Sequence, residues 1–203
     1  MLAAPAGAEV EVSITSDMDS FEVMHEGEEI TVMRDQDTFA TIDINYAQVA
    51  RPCPPYCIQP MSLAAGIETL GELEFIEYLK QLGERDDLLV IDSRTSEEYQ
   101  RGTIPGAINI PWSDLHFNSG ADPDEVRRVL TDRFNVVYDG DFYDFSRAKT
   151  LVLFCNGPWC GQSPTNIRTL TNLGYPAERI KWYRGGMQMW HGFGLTTVEG
   201  DPD

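Results

Sequence analysis

Two cysteines stand in the run Cys155-Asn156-Gly157-Pro158-Trp159-Cys160-Gly161-Gln162-Ser163-Pro164, directly after the apolar stretch Leu151-Val152-Leu153-Phe154. Four consecutive apolar residues suit a strand covered on both faces. Ser163 reads as a helix N-cap, Pro164 as the first helical position, and Gly174 as the stop just past Ile167, Leu170 and Leu173. The pattern is therefore a buried strand ending on a cysteine, a loop, and a helix whose N-terminus faces that loop. Unpaired N–H groups and partial positive charge at such an end stabilise an anion. The thiolate of Cys155 is the anion placed to use them. Surroundings of this kind bring a cysteine pKa from about 8.5 to roughly 3.5–7.5, which makes a nucleophile at neutral pH. The reading requires Cys155 to be reachable from solvent; a strand-end cysteine that merely packs is the plainer alternative.

The chain has 203 residues, 42% of them hydrophobic, enough for one domain plus a smaller appendage. Its 33 acidic and 15 basic side chains give a net charge of −18. A field of that sign repels phosphate backbones and anionic membranes, so nucleic acid is not an expected partner. Any anion site must be local, built from backbone N–H groups and a few arginines. No segment approaches the apolar length of a membrane span. Residues 1–8, Met1 to Ala8, read as a signal-peptide remnant or a disordered tail. Together with the cysteines this points to a periplasmic or secreted protein, with the cytoplasm as the alternative.

Residues 9–60 read as a β-rich extension. Val10–Ile14, Ile30–Met33 and Ala40–Ile44 alternate, and Glu26-Gly27-Glu28 marks a hairpin turn. The proline-rich stretch 51–60 is a stiff connector. From 61 to 203 strands and helices alternate. Thr69-Leu70-Gly71-Glu72 and Thr95-Ser96-Glu97-Glu98 both match capping boxes. The first would open a helix with Leu73, Ile76, Leu79 and Leu82 inward, and Asp122-Pro123 opens another with Val126, Val129, Leu130 and Phe134. Leu88–Ile91, Ala107–Ile110 and Ile180–Tyr183 are strands beside that of Cys155, and Gly185-Gly186 precedes a short helix to Trp190. The alternation calls for an α/β fold with a parallel sheet, in which ligands bind at the carboxyl ends of strands. Asp92 and Cys155 both fall there.

Leu88-Leu89-Val90-Ile91-Asp92-Ser93-Arg94, Glu98-Tyr99, Gly102-Thr103-Ile104-Pro105-Gly106-Ala107, the Cys155 loop, and Gly185-Gly186 with Trp190 together resemble the rhodanese-like domain family over about residues 66–200. The resemblance implies a five-stranded parallel sheet flanked by helices. It also implies a sulfurtransferase that carries sulfane sulfur as a persulfide on Cys155 and passes it to a thiol acceptor. The loop residues Asn156, Gly157, Trp159, Gly161, Gln162 and Ser163 would bind substrate, with Gly157 and Gly161 free to take positive φ. Asp92 and Arg94 would hold the loop and neighbouring turns by hydrogen bonds. The resemblance implies a small sulfur donor, a small-thiol or protein-thiol acceptor, and no cofactor; a protein partner could bind the N-terminal extension.

The sequence departs from the family pattern in three places. Ser163 lies eight positions after Cys155, so the loop is about two residues longer than usual in that family. Gln162 stands where the family has an arginine, which removes the strongest anion contact and puts thiosulfate turnover in question. Thr103 replaces a histidine, a change expected to affect local hydrogen bonding. Cys160 is a resolving thiol, the primary nucleophile, or incidental. Cys53 and Cys57 form a disulfide, a redox partner for the loop, or half of a zinc site. His25, His116 and His191 show no metal spacing, His191 reads as a surface residue, and no metal site is expected. Two other functions remain open: a non-catalytic binding module, and a thiol–disulfide oxidoreductase using Cys155 and Cys160.

Overall fold

Alternation in Ser20-Phe21-Glu22-Val23-Met24-His25 produces β1 (Ser20–His25), whose even faces split into buried and exposed sides. The chain turns over Glu26 and Gly27, both at positive φ (51° and 86°), into β2 (Glu28–Met33). Two left-handed residues match the twist of paired strands, and Gly27 takes that conformation without cost. The computed structural model describes residues 11–201. Met1–Ala8 and Val10 lie outside the described residues.

Two of the expected strands are absent. Residues 11–14 are irregular, their backbone held by Gln36: its Oε1 accepts from the N–H groups of Glu11 and Val12, and its Nε2 donates to the Val12 carbonyl. Around Ala40–Ile44, Asp37 and Asp43 capture the N–H groups of Phe39 and Asn45, making turns where the hydropathy pattern alternates.

The second unit follows β3 (Glu68–Leu70), α1 (Glu72–Leu79), β4 (Leu88–Asp92), α2 (Ser96–Arg101), β5 (Ala107–Asn109), α3 (Trp112–Leu115) and α4 (Pro123–Arg128). A small hairpin, β6 (Val137–Tyr138) and β7 (Tyr143–Asp144), precedes β8 (Thr150–Phe154), α5 (Gln162–Asn172), β9 (Ile180–Tyr183) and α6 (Gly186–Gly192). Five strands form one sheet in the order β3-β9-β8-β4-β5, all parallel, with β8 at the centre.

Capping chemistry differs between the two expected boxes. Thr95 caps α2, accepting from the Glu98 N–H while Glu98 accepts from the Thr95 N–H. Thr69 does not cap α1: it lies in β3 opposite Trp182, its hydroxyl bonds the Met61 carbonyl, and Gly71 is the N-cap with no side-chain bond. With that start, α1 buries Phe75, Ile76 and Leu79, and Leu73 faces solvent. Asp122 caps α4 as expected, with Pro123 in the first turn.

Side chains of β8 alternate between two apolar clusters. Val152 and Phe154 meet Phe75, Ile76 and Leu79 of α1 and Met187 and Trp190 of α6. Leu151 and Leu153 meet Leu115, Val126, Leu130, Phe134, Ile167 and Leu170 on the other face. The first cluster also takes in Phe21, Val23 and Val32 of the hairpin. Burying such a side chain is worth about 1.5–3 kcal/mol, which fastens the extension to the sheet. No helix among the described residues is long and apolar enough to cross a membrane.

Candidate active site

Cys155 is the first residue beyond β8, at the carboxyl end of the central strand. Its carbonyl accepts the Met187 N–H at 3.0 Å, and that of Asn156 accepts the Gln188 N–H at 2.9 Å, so the first turn of α6 holds the loop base. This contact explains Gly186: a Cβ there would lie 2.2 Å from the Cys155 carbonyl oxygen, and its φ is +55°. The loop turns back on itself through Cys160 N–H to the Gly157 carbonyl, 2.9 Å. Gly161 has φ −96°, so it does not supply the positive φ expected of it.

Helix α5 begins earlier than its sequence suggests. Gly161 is the N-cap and Gln162 the first residue, so Ser163 and Pro164 sit inside the first turn. Pro164 there gives up an N–H that would have no helical partner. Ser163 spends its hydroxyl on sulfur rather than on capping. It donates to Cys155 Sγ at 3.1 Å and accepts from Trp182 Nε1 at 3.1 Å, which directs its proton to the thiol. Burial opposes ionisation of Cys155. The Cys160 thiol, the Ser163 hydroxyl and the backbone N–H groups of Ser163 and Gly157 outweigh it, and hold the pKa below the ordinary cysteine value. Burial and the neighbouring Cys155 push Cys160 well above it, so Cys160 keeps its proton.

A carboxylate to which the sequence analysis gave no part in the site clamps the loop. Glu98 accepts from Asn156 Nδ2 at 2.7 Å and from Gln162 Nε2 at 3.1 Å, besides the Thr95 N–H. Burial raises its pKa, but bonds from Asn156, Gln162 and Thr95 more than offset that and leave it lowered. Asp92 and Arg94 form a buried pair with a 2.6 Å contact. Arg94 also donates to the Gly102 carbonyl and to Tyr46 Oη, and Asp92 accepts from Thr103 at 2.8 Å. The pair thus holds the neighbouring turn after α2, part of the role the resemblance implied, and the extension, while the loop itself is held by Glu98.

Residues 43–59 cross this end of the sheet as a strap. Tyr46 stacks on His191 with ring centres 4.4 Å apart, and its carbonyl accepts from Gln188 Nε2. The Gln59 N–H meets the Pro158 carbonyl at 2.8 Å, and the Arg184 guanidinium donates to the Gln59 carbonyl. Arg51 lies 3.7 Å above the Trp159 ring, Tyr56 packs edge-on to it, and Trp159 Nε1 donates to Gln188 Oε1. Cys53 and Cys57 are joined by a disulfide within the strap, so they are not zinc ligands. His191, expected at the surface, is half-buried under Tyr46, and burial lowers its pKa.

Strap and loop enclose a cavity of about 980 Å³ whose walls include Tyr46, Arg51, Glu98, Trp112, Trp159 and Cys160. Cys155 is not among its walls and is 2% exposed, contrary to the expected open thiol. The cavity reaches Cys160 instead. Tyr46, Arg51, Glu98 and Gln188 are the site residues that motif reasoning missed. The signal for Arg51 was indirect: a loop without its own cation invites one from elsewhere.

A strand-end cysteine cradled by a helix N-terminus at the carboxyl edge of a five-stranded parallel α/β sheet defines a rhodanese-type fold. Residues 75–192, more than half the chain, match the family model for the Rhodanese-like domain, and the chain belongs to that family. It is 30% identical over 119 residues to an HTH-type transcriptional regulator of Mycobacterium tuberculosis, a match spanning 59% of this chain and 41% of that protein. The match thus covers less than half of that relative's length. Among solved structures, it is similar to a thiosulfate sulfurtransferase from Pseudomonas aeruginosa (23% identity, TM-score 0.43, 66% of this chain and 21% of that one). It is also similar to a rhodanese with anions from E. coli (24% identity, TM-score 0.35, 56% of this chain and 99% of that one).

Proposed function

We propose that the protein is a sulfurtransferase in which Cys155 carries sulfane sulfur to a thiol acceptor. The observation that carries this reading is the Ser163 hydroxyl donating to Cys155 Sγ at 3.1 Å, with the Cys160 thiol and the N–H groups of Ser163 and Gly157 beside it lowering the Cys155 pKa. They favour the thiolate that attacks a sulfane donor, and afterwards the persulfide anion. In the first step the Cys155 thiolate bonds to the donor's outer sulfur and the donor's S–S bond breaks, expelling the remainder as its anion, which is sulfite when the donor is thiosulfate. In the second an acceptor thiolate takes that outer sulfur and returns Cys155 as thiolate. Cys160 stands between Cys155 and the cavity, so loading requires its side chain to give way. The Cys53–Cys57 disulfide suits an oxidising compartment, periplasmic or extracellular.

The test is mass spectrometry after incubation with thiosulfate, inorganic polysulfide or another sulfane donor. The expected result is a gain of one sulfur atom on Cys155, absent in Cys155→Ser. No gain with any donor would defeat the reading. The near-complete burial of Cys155 favours a second reading, a non-catalytic binding module. A Cys155 that iodoacetamide leaves unmodified across the pH range of thiolate formation would support that module instead.

A further inference from the structure

Carrying sulfur needs one thiol, and this site holds two in contact. Cys155 and Cys160 are both free and both buried, their thiols lie within hydrogen-bonding reach of each other, and the Cys160 S–H donates to Gln162 Oε1 at 3.3 Å. The loop turn from Cys160 N–H to the Gly157 carbonyl folds the second cysteine back over the first. Only one of the two borders the cavity, and it is Cys160. Glu98 and Asn156 hold the Gln162 amide in place, and the backbone N–H groups of Gln162 and Asn156 also bond the Cys160 sulfur.

We infer that Cys160 discharges the persulfide carried on Cys155 as hydrosulfide, leaving a Cys155–Cys160 disulfide that an external dithiol reduces through the cavity. This rests on the carrier reading above. The position of Cys160 against Cys155 Sγ selects the inner sulfur as the point of attack. A bond forms between the two Sγ atoms. The bond from Cys155 Sγ to the outer sulfur breaks with its electron pair, and the Cys160 proton leaves with that sulfur as HS⁻. The outer sulfur is reduced to sulfide while the two cysteine sulfurs are oxidised to the disulfide, so no outside oxidant enters.

Reduction follows from the same asymmetry. The sulfur that borders the cavity is that of Cys160, and thiol–disulfide exchange is faster when the departing thiol has the lower pKa. Cys155 is that leaving group, stabilised by Ser163 and the loop N–H groups. A dithiol therefore forms its mixed disulfide on Cys160 and then closes its own ring. It is oxidised to a cyclic disulfide and releases both protein thiols. The net reaction takes a sulfane donor and a dithiol to sulfide, the desulfurated donor (sulfite from thiosulfate) and an oxidised dithiol.

The experiment uses the full chain as wild type, Cys160→Ser and Cys155→Ser, with thiosulfate and inorganic polysulfide as donors and dithiothreitol as reductant. Intact mass, peptide mapping and a sulfide trap are followed together. Cys160→Ser is expected to hold the added sulfur stably, and Cys155→Ser to take up none. Loaded wild type is expected to shed one equivalent of sulfide and become two hydrogens lighter than the reduced chain, with the new disulfide mapped to Cys155–Cys160 and distinguished from Cys53–Cys57. With dithiothreitol, wild type turns over repeatedly. Sulfide release by Cys160→Ser falls at least about tenfold, because an intramolecular nucleophile has been lost. Wild type that keeps its added sulfur as long as Cys160→Ser does would overturn the inference and leave the carrier reading standing. Failure of Cys160→Ser to load from either donor removes the carrier reading, and the inference with it.

Discussion

Replacing Ser163 with alanine isolates one donor to the Cys155 sulfur. The hydroxyl lies 3.1 Å from Sγ and is fully buried. A hydrogen bond to a charged acceptor is worth about 1.5–3 kcal/mol, and one pKa unit corresponds to about 1.4 kcal/mol. The neutral thiol keeps part of that bond and three other donors remain, so the expected change is about one unit upward, at the low end of this range. The assay is the rate of Cys155 alkylation by iodoacetamide against pH, read at the Cys155 peptide. The folded-state pKa is depressed, so its contribution to stability is complete above the unfolded cysteine's pKa of about 8.5 and is lost as pH falls through the lower folded value. Ser163→Ala narrows that window from below. The variant also leaves the buried Trp182 Nε1–H without its acceptor, which costs about 1–3 kcal/mol in urea unfolding. Trp182→Phe separates the two effects: it loses stability but retains the Ser163 hydroxyl, and Cys155 should titrate as in wild type. An alkylation midpoint in Ser163→Ala equal to that of wild type would show that the hydroxyl does not stabilise the thiolate.

Glu98→Gln removes the anion that gathers Asn156, Gln162 and Thr95. The Glu98 pKa is lowered on folding, so its contribution is present above about pH 4.3 and lost on acidification. The variant's melting temperature should therefore vary less than that of wild type below that pH, and parallel curves would refute the clamp. Gly186→Ala places a Cβ 2.2 Å from the Cys155 carbonyl oxygen at φ +55°; a loss of at least about 3 kcal/mol is expected in urea unfolding, whereas a loss under about 1 kcal/mol would mean the loop base yields freely. The paired change Cys53→Ser, Cys57→Ser opens a ring spanning only five residues, so chain entropy limits the stability loss to about 2 kcal/mol. It should speed alkylation of Cys160 by loosening the strap; an unchanged rate would show that the disulfide does not hold the cavity closed.

Periodicity made the sheet legible. The run Leu151–Phe154 contains no polar residue, and each of its side chains is completely buried, alternating between two clusters. The Thr95–Glu98 box was equally plain because both of its bonds are local. Local patterns misled where a tertiary partner competed for the same group. Thr69 is claimed by β3, and Ser163 by a sulfur eight residues earlier in the chain. The strap was illegible for the same reason. Tyr46 and Arg51 enter the site only because they meet His191, Arg94 and Trp159, more than 40 residues away in sequence. Its apparent strand at Ala40–Ile44 dissolves because Asp37 and Asp43 give the backbone nearer partners. Burial of Cys155 likewise depends on Cys160 folding back, which a loop of glycines and a proline does not announce.

The site lowers the pKa of Cys155 without a cation on the sulfur. In a chain of net charge −18, a lone anion gains nothing from the long-range field. The buried arginine of the site is occupied, since Arg94 spends its charge on Asp92, and Arg51 lies over the Trp159 ring. What remains are neutral donors, a hydroxyl, a thiol and two backbone N–H groups, fixed in place before any substrate arrives. Contacts of this kind act over a few ångströms inside a dry interior, where dipoles count for more than in water and salt screens little. They also leave the surface free to choose its ligand by other means. Cys160 and the strap residues Tyr46 and Arg51 border the cavity, while Cys155 lies beyond it. Ionisation is thus set by β8, α5 and the loop N–H groups, and access by the strap and Cys160. The two meet through Gln188, which donates to the Tyr46 carbonyl and accepts from Trp159. A displacement of the strap is therefore transmitted to the loop that carries both cysteines.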